Sequence, residues 1–153
     1  MAENLSFQYC QKLVVLNTSL DTVLLAQRRG EADYDDVFSF IGGKMETTDR
    51  SLVAGMQREK NEEIGPHARV KVLPNESYNV LFQKKDGNSM VLPHIASIYL
   101  EGDIQLNDEY SSYAWVPLDA LETFEPKIET VPAAAAWALG RLSVAFEADF
   151  VEI

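Results

Sequence analysis

Apolar and polar positions alternate along the chain in short runs, separated by two longer stretches of helical character. Residues 7–16 contain the run Leu13-Val14-Val15-Leu16 and predict a strand; the turn-rich segment 17–21 and the apolar run 22–27 predict a second strand paired with it as a hairpin. A short strand over 37–41 places Phe38 and Phe40 on one face and ends at Gly42-Gly43, where the backbone is free to turn sharply or to approach a ligand closely. A helix follows from about Ser51 to Ile64. Thr48, Asp49 or Ser51 can cap its start, and Gly65 and Pro66 stop it. Residues 68–73 read as a strand. Segments 78–83 and 90–100 flank Asp86-Gly87, a strong hairpin signal. His94 falls in the second of these strands and reads as structural, while His67 falls in a loop. A last helix is predicted from Pro132 to about Phe146, with Trp137, Leu142 and Phe146 packing on the sheet. The pattern predicts an α+β fold, an α/β sandwich with a mixed sheet between helices.

With 153 residues the chain has material for one core, so residues 1–153 are expected to form a single domain. No apolar run approaches the ~20 residues that span a membrane, and the polar start Met1-Ala2-Glu3-Asn4 lacks the order of a signal peptide. Cys10 is the one cysteine, which excludes an internal disulfide and agrees with a cytoplasmic location. It reads as a small buried residue rather than a nucleophile. A net charge of −11 argues against long nucleic acids, which are held through phosphate contacts to Lys and Arg. A small phosphorylated ligand remains compatible, because divalent cations screen protein carboxylates and ligand phosphates together.

The chemistry concentrates at the end of the first helix. Glu59, Glu62 and Glu63 stand at i, i+3 and i+4, which puts their carboxylates on one face. A helix C-terminus carries partial negative charge and favours cations. Arg58 compensates in part by pairing with Glu62, so a solvated, salt-bridged helix end is one reading. The other is a site for a hard cation, Mg²⁺ or Mn²⁺, held by oxygen ligands.

The order Gly42-Gly43-Lys44 and then Arg58-Glu59-Lys60-Asn61-Glu62-Glu63-Ile64-Gly65 resembles the box of the Nudix hydrolases. Lys60 and Pro66 stand where the box has apolar residues. Asp49 stands where it has a glutamate, and one extra residue lies before Arg58. The entry Thr48-Asp49-Arg50-Ser51-Leu52 with Gly55 resembles a variant box of the inosine-diphosphate and RNA-decapping branch. The stretch 108–121 resembles a second feature of the family: Glu109, a strand ending in Trp115-Val116, then Pro117-Leu118-Asp119-Ala120-Leu121. Trp115 itself reads as core.

The resemblance implies the Nudix fold and cleavage of a diphosphate linkage in a small nucleotide, such as a nucleoside di- or triphosphate, by water attack on phosphorus. It implies Mg²⁺ or Mn²⁺ held by Glu59, Glu62, Glu63 and Gly43, with Glu109 a further acid at the site. The proton acceptor stays open among Glu59, Glu62, Glu63 and Glu109. Arg28 suits phosphate contact but is also a plain strand end; Lys44 suits phosphate contact. Phe40 is either a core residue or a base-stacking one. Arg58 either orients the glutamates or touches substrate. Alternatives are a nucleotide-sugar or dinucleotide pyrophosphatase, acting on ADP-ribose or NADH, and a non-catalytic nucleotide-binding module on the same fold. Capped RNA is disfavoured by the acidic charge. A homodimer is compatible with the sequence.

Overall fold

The apolar run predicted near the N-terminus forms β1 (Gln8–Leu16), which lies at the centre of a nine-stranded mixed sheet. The computed structural model describes residues 2–153. β1 runs parallel to the long strand β7 (Ser89–Glu101), with Leu13 opposite Ile95 and Leu16 opposite Ile98. Each of these central strands changes partner along its length. β1 pairs with β2 (Thr22–Arg28) only at Leu16↔Val23, and with β4 (Ile41–Lys44) from Cys10 to Leu13. The predicted hairpin therefore exists only beside its turn. β2 then diverges to pair with β8 (Tyr110–Pro117) and the short β3 (Phe38–Ser39). β7 pairs with β6 (Tyr78–Gln83) in its first half and with β5 (Arg69–Val72) in its second. The sheet splays at this divergence, and the opening becomes the cleft described below.

Two helices cover the sheet. α1 (Leu52–Ile64) packs on the face carrying Leu13, Val15, Leu24 and Ile95, and α2 (Val131–Leu142) packs on the face carrying Val14, Leu16, Leu25 and Ala96. Successive β1 residues thus serve opposite cores, as strand alternation requires. Each leucine so buried contributes about 1.5–3 kcal/mol. The fold is the α+β sandwich, a mixed sheet between helices, that the pattern predicts.

Local signals act where expected at α1. Ser51 is the cap, its Oγ accepting from the Ala54 N–H at 3.0 Å, and Gly65 closes the helix at φ 92° with its N–H on Asn61 O. The Lys84–Asn88 turn joins β6 to β7, with Gly87 at φ 90°. Three expectations change. Gly42 and Gly43 do not leave the strand; they continue it, opposite Lys12 and Gln11. α2 ends at Leu142, and Phe146, expected on the sheet, is 76% exposed. After a 3-10 turn (Glu147–Asp149), Val151–Glu152 adds β9 to the edge of β5. Among the described residues no helix is long and apolar enough to cross a membrane.

Candidate active site

Glu63 projects from the last turn of α1 into the sheet and is 1% exposed. Its Oε2 accepts from the Gly42 N–H at 2.6 Å and from the Tyr110 hydroxyl at 3.1 Å. Gly42 can present its N–H because it sits at φ 136° with no side chain; a Cβ there would lie 2.0 Å from Gln11 O. The Oε1 of Glu63 is buried with no partner. Burial pushes the carboxyl well above the ordinary range, Lys12 and the Gly42 N–H act against this, and neighbouring Glu109 adds to it. Burial and the Glu63 charge likewise raise the Tyr110 hydroxyl, so it remains a donor.

Glu59 lies one turn earlier, 9% exposed, against Gly43. Burial raises its carboxyl, and Arg58 opposes the rise. Arg58 gathers the box around itself. Its guanidinium grips Asp49 through Nε at 2.8 Å and Nη2 at 2.9 Å, and its Nη1 reaches Glu59 at 2.9 Å and Glu62 at 3.3 Å. Nη2 also donates to Lys44 O at 3.0 Å. This bonding holds the Asp49 carboxyl down at about 2.

The three glutamates are close but not converged. Gly42 and Tyr110 hold Glu63 inward, whereas Arg58 draws Glu59 and exposed Glu62 toward itself. Among the described residues no three acidic, His or Cys side chains form a ready-made metal cage. The expectation of carboxylates clustered on one face is corrected to that extent. The donor set still fits a hard cation: the orphaned Glu63 Oε1 points to an absent positive partner, and the bare Cα of Gly43 leaves room for the Glu59 carboxylate.

These groups open on a cleft of about 690 Å³. Glu59, Glu62, Glu109, Gly43 and Lys44 line it, together with Lys12, Arg28 and Lys84. Arg28 donates through Nη2 to Asp33 O at 3.4 Å and pairs with Glu31 at 3.4 Å, while its Nε is buried without a partner. Across the sheet the wall turns apolar through Met90 and Leu92 on β7 and Val80 and Phe82 on β6. Tyr34, Ile128 and Glu129 complete it.

Two expected substrate contacts, Phe40 and Arg58, are not among the residues lining the cleft. Phe40 is 2% exposed and packs in the α2-side core, edge-on to His94 at 5.6 Å. It follows the strand alternation inward and has no face to offer a base. The Arg58 guanidinium is bonded to Asp49, Glu59, Glu62 and Lys44 O, and Arg58 is not among the residues lining the cleft. Lys60 is also buried, and its ammonium donates to Ala68 O at 2.9 Å while its stem fills an apolar position. Tyr110 and Tyr34 are the site residues that sequence reasoning missed. Tyr110 adjoins Glu109, but nothing local marks a tyrosine as a partner for a glutamate 47 residues earlier.

A family model described as the NUDIX domain matches residues 11–136. No curated protein matches the chain. Among solved structures, the MutT protein of Methanosarcina mazei Go1 is 19% identical with a TM-score of 0.71, covering 94% of this chain and 100% of that one. A NUDIX-family hydrolase from Clostridium perfringens is 16% identical with a TM-score of 0.70, covering 90% of this chain and 99% of that one. The NUDIX domain of Shewanella oneidensis NrtR, solved in complex with ADP ribose, is 19% identical with a TM-score of 0.69, covering 90% and 89%. With its box on α1, its sheet between two helices and most of its length matched by the family model, this chain belongs to the Nudix family of hydrolases acting on pyrophosphate bonds.

Proposed function

We propose that the chain is a divalent-metal-dependent pyrophosphohydrolase of small nucleotides, cleaving nucleoside di- or triphosphates by water attack on phosphorus. One observation carries the reading: a single cleft joins Glu59 and Glu62 of the box, four basic side chains and an apolar, aromatic wall. That combination suits a ligand with a charged diphosphate at one end and a planar apolar base at the other.

Glu59 and Glu63 would hold the cation, with Glu62 and the Gly43 backbone beside them. Mg²⁺ or Mn²⁺ would neutralise the diphosphate and polarise the phosphoryl group toward attack. The chain supplies the rest. The Gly42 N–H and Tyr110 hydroxyl fix Glu63 before any ligand arrives, so its orientation carries no reorganisation cost at reaction. Arg28, Lys12 and Lys44 line the same cleft and would meet the phosphate oxygens. Glu62 and Glu109 are exposed to the cleft, and the proton of the attacking water goes to one of them.

The ADP ribose complex of the NrtR domain motivates a second reading, a pyrophosphatase of ADP-ribose-like substrates. A product-resolved nucleotide panel, with Mg²⁺ and with chelator, separates the two. Nucleoside triphosphates should be turned over best, only with metal, and Glu62→Gln and Glu63→Gln should lose the activity. Turnover unchanged by chelator or by both substitutions would contradict the proposal.

A further inference from the structure

The C-terminal end of α1 leaves carbonyls that no later turn of the helix can bond. Two of them are capped by the chain leading into β8. The Gln105 N–H donates to Ile64 O at 2.9 Å, and the Asn107 N–H donates to Glu63 O at 3.3 Å. One short segment therefore grips Glu63 at both ends, its carbonyl through Asn107 and its carboxylate through the Tyr110 hydroxyl at 3.1 Å.

Glu109 lies between those two grips. Residues 107–110 form a turn, in which the Tyr110 N–H donates to Asn107 O at 3.4 Å. Asparagine suits the first position of such a turn, because its side chain can accept from the backbone two residues on. Here Asn107 Oδ1 accepts from the Glu109 N–H at 3.0 Å. On the other side Glu109 O accepts from the Arg29 N–H at 2.9 Å, and Arg29 Nε donates to Asp108 O at 3.1 Å. Both backbone polar groups of Glu109 are thus tied down. Its carboxylate lines the cleft near Glu59 and Glu63. Like charges brought together repel, so attraction between these side chains does not keep Glu109 in place. Its backbone bonds do.

We propose that Asn107 is a positioning residue of the site: its side-chain bond to the Glu109 N–H holds the loop carboxylate against the box glutamates, so that Asn107 acts on turnover through Glu109. The inference rests on the nucleotide-hydrolase reading above and adds to it a residue outside the box.

The test measures kcat and KM for the best nucleotide in the wild type, Asn107→Ala, Asn107→Ser, Glu109→Gln and the double variant Asn107→Ala with Glu109→Gln. Asn107→Ala removes Oδ1 and keeps the backbone N–H that caps α1. It should lower kcat by about 10-fold and change KM by less than about 2-fold. Asn107→Ser keeps an oxygen that can accept from the same N–H and should recover most of the loss. In the Glu109→Gln background, Asn107→Ala should cost nothing further, because the two residues act as one unit. A wild-type kcat in Asn107→Ala overturns the inference, and so does an equal loss in both backgrounds, which is what general damage to the fold would give. Full kcat in Glu109→Gln removes the group that Asn107 is said to position and overturns the inference while leaving the hydrolase reading in place. A wild type that hydrolyses no nucleotide overturns that reading, and the inference with it.

Discussion

Gly43 and Glu59 occupy the same space: a Cβ on Gly43 would lie 2.3 Å from the Glu59 carboxylate carbon and each of its oxygens within 2.4 Å. The glycine is a vacancy shaped for an acid. Gly43→Ala should leave the fold intact, because the group it meets is the end of a side chain that can move. It should lower kcat/KM by about 100-fold, the order expected when a catalytic group is displaced by an ångström. Thermal unfolding checks the first expectation and steady-state kinetics the second.

Arg58 is the tie between loop and helix. It binds Asp49 with two nitrogens and Glu59 with a third. Lysine keeps the charge but has neither the planar fork nor the reach to serve both acids. Arg58→Lys should therefore destabilise the chain by about 1–3 kcal/mol and depress kcat, because Glu59 loses its positioning partner. Denaturant unfolding measures the first. Stability unchanged within error would contradict the role given to the pair.

The box pattern located Glu59, Glu62, Glu63 and both glycines, because these follow one another along a short stretch and a helix has a fixed period. The Ser51 cap and the Asp86-Gly87 turn were legible for the same reason, since each acts on its neighbours. Side-chain direction was not. Glu63 is turned inward by Gly42 and by Tyr110, contacts 21 and 47 residues away. The Tyr34–Glu129 bond is beyond local pattern for the same reason, since it spans 95 residues. β9 is two residues long and exists because β5 offers it an edge, not because its own sequence demands a strand. Phe146 stays exposed despite its apolar character, because large apolar side chains do remain at surfaces.

His94 gives stability a pH dependence. Burial holds its imidazole down to about 4 against an ordinary 6.5, between Phe40 and Tyr78. Between those values the unfolded chain takes up a proton that the folded chain refuses. The contribution is thus complete above 6.5 and is lost as the pH falls, amounting to ~3 kcal/mol by pH 4. His94→Gln should flatten this slope in urea titrations at successive pH values. A slope identical to that of the wild type would contradict the assignment.

Arg28 should act on substrate binding more than on turnover. Its side chain lines the cleft, and a hydrogen bond to a charged phosphate is worth about 1.5–3 kcal/mol. Arg28→Ala should raise KM for the best nucleotide by about 10-fold or more with a smaller change in kcat. Initial-rate kinetics across substrate concentration decide this; a pure kcat loss would assign Arg28 to the chemical step.

The account depends on Glu59 and Glu63 holding a divalent cation, and Mn²⁺ titration followed by electron paramagnetic resonance tests this without reference to turnover. Because burial raises the Glu63 carboxyl, the cation must displace a proton, so Mn²⁺ affinity should rise with pH in the wild type. Glu63→Gln should weaken binding by about 100-fold and remove most of that pH dependence, and Glu59→Gln should weaken it comparably. Equal Mn²⁺ affinity in the wild type and both variants would contradict the account.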